Sequence, residues 1–70
     1  MDYLIVFEHA SDGTIWAGVP DLPGCYSCGE TLDEAKIQIK EAIEFHIEVL
    51  KEEGFNIPNP QTFKAELIHI

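Results

Sequence analysis

The amino-acid sequence predicts a small α+β domain in the order β-β-β-α-β, a four-stranded mixed sheet with one helix on one face. Three observations predict it. Three short β-prone runs, residues 2–8, 14–19 and 25–29, are separated by turn-forming residues. One stretch, from residue 32 to about residue 53, repeats apolar side chains at the helical period. A further β-prone run, residues 62–69, follows two prolines.

The first strand, Asp2 to Glu8, carries five consecutive apolar residues. Such a run suits a central strand buried on both faces. Ser11-Asp12-Gly13 is a turn signal, so the first two strands form a hairpin. In the second strand Trp16 and Gly18 share one face, and Ile15, Ala17 and Val19 share the other. Leu22-Pro23-Gly24-Cys25 fits a type II turn, with proline presetting φ and glycine accepting a positive φ. Thr31-Leu32-Asp33-Glu34 reads as a capping box: the threonine hydroxyl accepts from a free helix N–H and Glu34 reaches back to the Thr31 amide. Leu32, Ala35, Ile39, Ala42, Ile43, Ile47 and Leu50 then fall on one stripe, with Glu34, Glu41, Glu48 and Glu52 opposite. Gly54 is placed to stop the helix in the left-handed region. Pro58 and Pro60 bar further helix. A crossover helix returns the chain parallel, and the apolar first strand is the best neighbour for the fourth. The expected strand order is 3-2-1-4.

Seventy residues are expected to form one domain, residues 1–70, and no separate C-terminal DNA-binding unit is expected. A chain this short buries only ~60% of the surface its unfolded form exposes, so self-association is expected to help it. The aromatics Trp16, Tyr26, Phe45 and Phe63 are the candidate oligomer or partner contacts. No apolar run reaches the ~18 residues of a membrane span. The N-terminal residues lack the basic region and cleavage site of a signal peptide. With two cysteines and no export signal, a reducing cytoplasm is the expected compartment.

Thirteen acidic residues face four lysines and no arginine, for a formal net charge of −9. Nucleic-acid binding draws on Lys and Arg contacts to phosphate, so DNA is excluded as an expected partner. A basic protein suits this charge better.

Cys25-Tyr26-Ser27-Cys28 raises the question of redox or metal chemistry. On a strand the two cysteines differ by an odd number and point to opposite faces, with Cα atoms ~10 Å apart. A disulfide needs them within ~7 Å. A thioredoxin-like cysteine would open the helix, whereas Cys28 falls three residues before Thr31. A structural zinc site wants four ligands, and the chain offers one cysteine pair and three scattered histidines. The cysteines therefore read as one core and one surface residue. His46 lies in phase with the apolar helix stripe and reads as a packing residue, while His9 and His69 read as surface. Glu8, Asp12 and Asp21 sit at strand ends or turns, with no sign that they converge on a cation. No catalytic, metal-binding or cofactor-binding residue is assigned, and no enzyme is expected.

The stretch Val19-Pro20-Asp21-Leu22-Pro23-Gly24-Cys25, followed by Gly29-Glu30-Thr31 and Glu34-Ala35, resembles the HicB family of antitoxin-like proteins. The Asp12-Gly13 turn, the Trp16-Ala17 strand and Pro58-Asn59-Pro60 are similar to the same family. The resemblance implies a truncated ribonuclease H-like topology, β-β-β-α-β, without the metal-binding carboxylates of an active ribonuclease H. It also implies a domain that binds and blocks a small basic HicA-like toxin that cleaves mRNA. The motif residues read as structural: Pro23 and Gly24 for the turn, Thr31 and Glu34 for the cap, Ala35 for close helix–sheet contact. Two functions stay open at this level. One is a non-catalytic antitoxin that occludes such a toxin, and the other is an orphan homo-oligomeric domain with no toxin.

Overall fold

A computed structural model describes all residues from Met1 to Ile70. Three antiparallel strands, β1 (Val6–His9), β2 (Ile15–Gly18) and β3 (Tyr26–Gly29), precede one helix, α1 (Leu32–Glu52). The sheet order is β1-β2-β3. Val6 pairs with Gly18 and His9 with Ile15; Ile15 in turn pairs with Gly29 and Gly18 with Tyr26.

The turns follow from their residues. Asp12 Oδ1 accepts from the Thr14 amide at 3.0 Å and the Thr14 hydroxyl at 2.7 Å, and Gly13 takes φ 90°. This is the side-chain-to-backbone closure that aspartate brings to turns. Between β2 and β3 the Cys25 amide donates to the Leu22 carbonyl at 3.1 Å, with Gly24 at φ 82°. Both features are those of the expected type II turn.

The strand β1 is shorter than the apolar run that predicts it. In the register, Leu4 would face Pro20, which has no N–H to give a ladder, and the Val19 amide already donates to Cys25 O. Tyr3, Leu4 and Ile5 therefore extend past the ladder, half-buried.

Helix α1 starts as expected. Thr31, extended at φ −129°, accepts from the Glu34 amide at 3.1 Å through its hydroxyl. Glu34 does not complete the box with a return bond. Gly54 at φ 74° ends the helix, and its amide reaches Lys51 O.

The helix packs on β3 and β2 through Ala35 and Ile39, both buried. The closest approach is at Gly29, where any Cβ would lie 2.6 Å from the Ala35 amide nitrogen. Gly29 and Ala35 together let strand and helix backbones meet. The core is Ala17, Val19, Leu22, Cys25 and Ile39, with Tyr3, Ile5, Phe7, Ala42 and Ile43 packed partly against it. Only 7 of 70 residues are buried. Twenty-one helical residues span ~31 Å against ~13 Å for a four-residue strand. The second half of the helix stripe, His46, Ile47 and Leu50, consequently stays half-buried.

The expected fourth strand over residues 62–69 does not form within the chain, so the sheet has three strands and the order 3-2-1-4 is not completed. The reason lies in two long-range ties. The Tyr3 hydroxyl donates to Pro58 O at 2.5 Å, and Asp21 holds the Gln61 and Thr62 amides. These ties carry the chain across the end of the sheet toward the β2–β3 turn, away from the free edge of β1.

Candidate functional site

The sheet has one covered and one open face. Ile5, Phe7, Ala17 and Val19 turn toward the helix side; Val6, Glu8, Trp16, Gly18, Tyr26 and Cys28 lie on the other, as strand alternation and the register require. Nothing in the chain covers the open face. It forms a shallow depression of ≈ 760 Å³, floored by Val6, Trp16, Gly18 and Tyr26 and rimmed by Pro20 and Pro23.

Gly18 shapes this floor. A Cβ there would lie 3.2 Å from two ring carbons of Tyr26, so the absence of a side chain lets the tyrosine ring lie across the strand. Tyr26 remains 66% exposed and Trp16 47% exposed. Both can present a large apolar body with a polar tip, the side-chain type that interfaces favour.

The four candidate contact residues do not form one patch. Trp16 and Tyr26 share the open sheet face. Phe45 stands on α1 about 120° around the helix from the buried Ile39, on the solvent side. Phe63 follows directly on Thr62 in the C-terminal segment and is exposed.

Asp21 has a role that sequence reading missed. Its Oδ2 accepts from the Gln61 amide at 2.9 Å and the Thr62 amide at 2.8 Å, and its Oδ1 accepts from the Thr62 hydroxyl at 3.0 Å. The Thr62 amide is the main influence holding the Asp21 carboxyl below its usual value; partial burial opposes it, and the Gln61 amide and Thr62 hydroxyl add to it. The partners lie forty residues away in sequence, so no local pattern announces the clamp. The nearby motif residues Pro20, Pro23 and Gly24 set the loop that presents Asp21.

The two cysteines separate as expected. Cys25 is buried and burial pushes its thiol above the ordinary value, while Cys28 is exposed, and both are free. The remaining motif residues act on the backbone: Gly29 and Ala35 at the helix–strand contact, Thr31 and Glu34 at the cap. The histidines and carboxylates do not gather into a group of three or more that would hold a metal ion. No helix is long and apolar enough to cross a membrane.

Charge is distributed unevenly. Glu34, Glu41, Glu48 and Glu52 are all exposed along α1. Lys36 and Lys40, with Glu44, flank a second groove of ≈ 450 Å³ between β1 and the helix, lined also by Tyr3, Ile5, Phe7 and Ile43.

Comparison with known proteins gives a consistent set. The family described as HicB-like antitoxin of bacterial toxin–antitoxin system matches residues 3–68. An uncharacterized 14.9 kDa protein in the rep-hol intergenic region of Haemophilus phage HP1 is 48% identical over 58 residues, covering 83% of this chain and 43% of that protein. A UPF0150 protein of Thermoplasma acidophilum is 45% identical over 58 residues, covering 83% of this chain and 84% of that one. Among solved structures, the N-terminal domain of the Burkholderia pseudomallei antitoxin HicB superimposes with a TM-score of 0.73 at 36% identity, over 83% of this chain and 69% of that chain. A chain of a HicA3 and HicB3 toxin–antitoxin complex gives a TM-score of 0.72 at 31% identity, over 86% and 70%.

Proposed function

The chain belongs to the HicB-like antitoxin family, and we propose that it is a non-catalytic antitoxin-type protein that binds and occludes a small basic mRNA-cleaving toxin. The observation that carries this reading is the likeness, across most of the chain, to a member of a toxin–antitoxin complex. The net charge of −9 supports the same partner class, since an opposite field speeds encounter with a basic protein.

The mechanism is competition for one surface. Exposed glutamates along α1 occupy the basic groups that a ribonuclease needs for RNA phosphate. The apolar floor around Trp16 and Tyr26 supplies contact area. No bond is made or broken by this chain. Its own copies associate through apolar strand surface in the cytoplasm, and duplex DNA is not a partner.

The test is co-expression with the product of an adjacent reading frame that encodes a small basic protein. Co-purification as a complex that dissociates with rising salt is the expected result. A basic neighbour that elutes separately at low salt would count against the reading, and in favour of an orphan oligomer.

A further inference from the structure

We propose that residues 63–70 of one copy form the fourth strand of a second copy, lying along the free edge of its β1 over the groove between β1 and α1. The inference rests on the self-association stated above and specifies how it happens.

The segment is built for a sheet but has none. Phe63, Leu67, Ile68 and Ile70 are 89%, 104%, 76% and 105% exposed. The Lys64 ammonium and Glu66 carboxylate meet at 2.7 Å, two residues apart, which is the side-chain spacing of an extended backbone. On such a strand Phe63, Ala65 and Leu67 share one face. A single chain does not leave so many large apolar side chains in water without a use.

The receiving edge is unfinished in the same chain. β1 has one neighbour, β2, so its other edge offers unpaired N–H and C=O groups. Beside that edge runs the groove whose floor includes Tyr3, Ile5, Phe7 and Ile43, all only half-buried. Lys36, Lys40 and Glu44 stand at its rim, a net positive border in a chain of charge −9.

The segment cannot reach its own β1 edge while the clamps hold. Tyr3 fixes Pro58 near the start of β1, and Asp21 fixes Gln61 and Thr62 at the β2–β3 turn. Residue 63 therefore leaves from beyond β2. Phe63-Lys64-Ala65-Glu66 contains no Gly, Pro, Asn or Asp on which to double back. A second copy, related by a two-fold axis, removes the conflict and returns the same contact.

The area is sufficient. The two large side chains that share the groove-facing side, Phe63 and Leu67, carry roughly 300 Å² at about 150 Å² each. Adding the surface they cover, and the reciprocal contact, gives roughly 1,200 Å² before any backbone pairing is counted, the lower end of the ~1,200–2,000 Å² of specific interfaces.

The experiment uses the full chain. Light scattering gives the oligomeric state, and isotope-filtered NOE spectra of a mixture of labelled and unlabelled copies give the contacts. The expected result is a dimer with intermolecular NOEs from Phe63 and Leu67 to Tyr3, Ile5 and Phe7. In the Leu67→Asp variant, helix content by circular dichroism stays the same and the dimer weakens at least ~10-fold. A dimer in which these NOEs are missing or intramolecular, or whose dissociation constant is unmoved by Leu67→Asp, overturns the exchanged strand and leaves self-association standing. A strictly monomeric protein overturns both.

Discussion

Replacing Gly29 by alanine should unseat the helix from the sheet. The new Cβ would lie 2.6 Å from the Ala35 amide nitrogen and 3.0 Å from both the carbonyl carbon and the Cβ of Glu34. Ordinary van der Waals contact needs the helix to withdraw by roughly 0.8 Å. Two of the obstructing atoms are helix backbone, so no rotamer change relieves the clash. The shift would also open the contact of Ala35 and Ile39 with the core, where both are buried. Overpacking of this kind costs ~1–3 kcal/mol, and the backbone obstruction puts Gly29→Ala near ~3 kcal/mol. A 70-residue domain has a total stability of about 4–10 kcal/mol, so the loss is a large share of it. At ~4–8 °C per kcal/mol, the melting temperature should fall by more than ~10 °C. Thermal and urea unfolding followed by far-UV circular dichroism measure this. Gly18→Ala is the control, since its new Cβ meets only the Tyr26 ring, an exposed side chain free to swing aside. Gly18→Ala should stay within ~0.5 kcal/mol of the parent. If Gly29→Ala melts within ~2 °C of the parent, the close helix–strand contact is not what requires glycine there.

Thr31→Ala leaves the Glu34 amide without its side-chain acceptor and should cost ~1 kcal/mol in urea unfolding, with toxin binding falling only as far as folding does. Cys25→Ser buries a hydroxyl in the core and should lower the melting temperature more than the exposed Cys28→Ser; zinc measured in the purified protein should be unchanged in either variant. The Asp21 carboxyl titrates below the ordinary 3.8 in the folded chain. Its clamp is therefore fully present above the unfolded value and lost as pH falls through the lower folded one. An NMR titration of the Gln61 and Thr62 amides should show a midpoint below 3.8, and Asp21→Asn should abolish it.

Local chemistry made much of the fold legible. Pro23-Gly24 named its turn type, Thr31 the helix start and Gly54 its end, because each acts within a few residues. The alternation of β2 separated Ala17 and Val19 from Trp16 and Gly18, which located the open face. What the sequence withheld acts at long range. The Tyr3–Pro58 and Asp21–Thr62 bonds join positions 55 and 41 apart, and they decide where residues 62–69 go. The β-prone composition of that run is compatible with a strand, but composition cannot say whose edge it meets. The capping box is only half formed, since the return bond from Glu34 is an option that solvent competes for at an exposed site. Trp16, Tyr26, Phe45 and Phe63 are all large aromatics in the sequence, and the fold sets Phe45 and Phe63 on surfaces apart from the open sheet face.

The central claim, an acidic protein that occludes a basic ribonuclease, is tested most directly by RNA cleavage. Purified toxin from the adjacent reading frame is mixed with a labelled RNA and titrated with this chain. The account predicts that cleavage stops at stoichiometric amounts of the chain, and that inhibition weakens as salt rises. It also predicts weaker inhibition when Glu41 and Glu48, both exposed on α1, are changed to lysine in a variant that folds normally. Undiminished cleavage in the presence of a large excess of folded chain at low salt would contradict it.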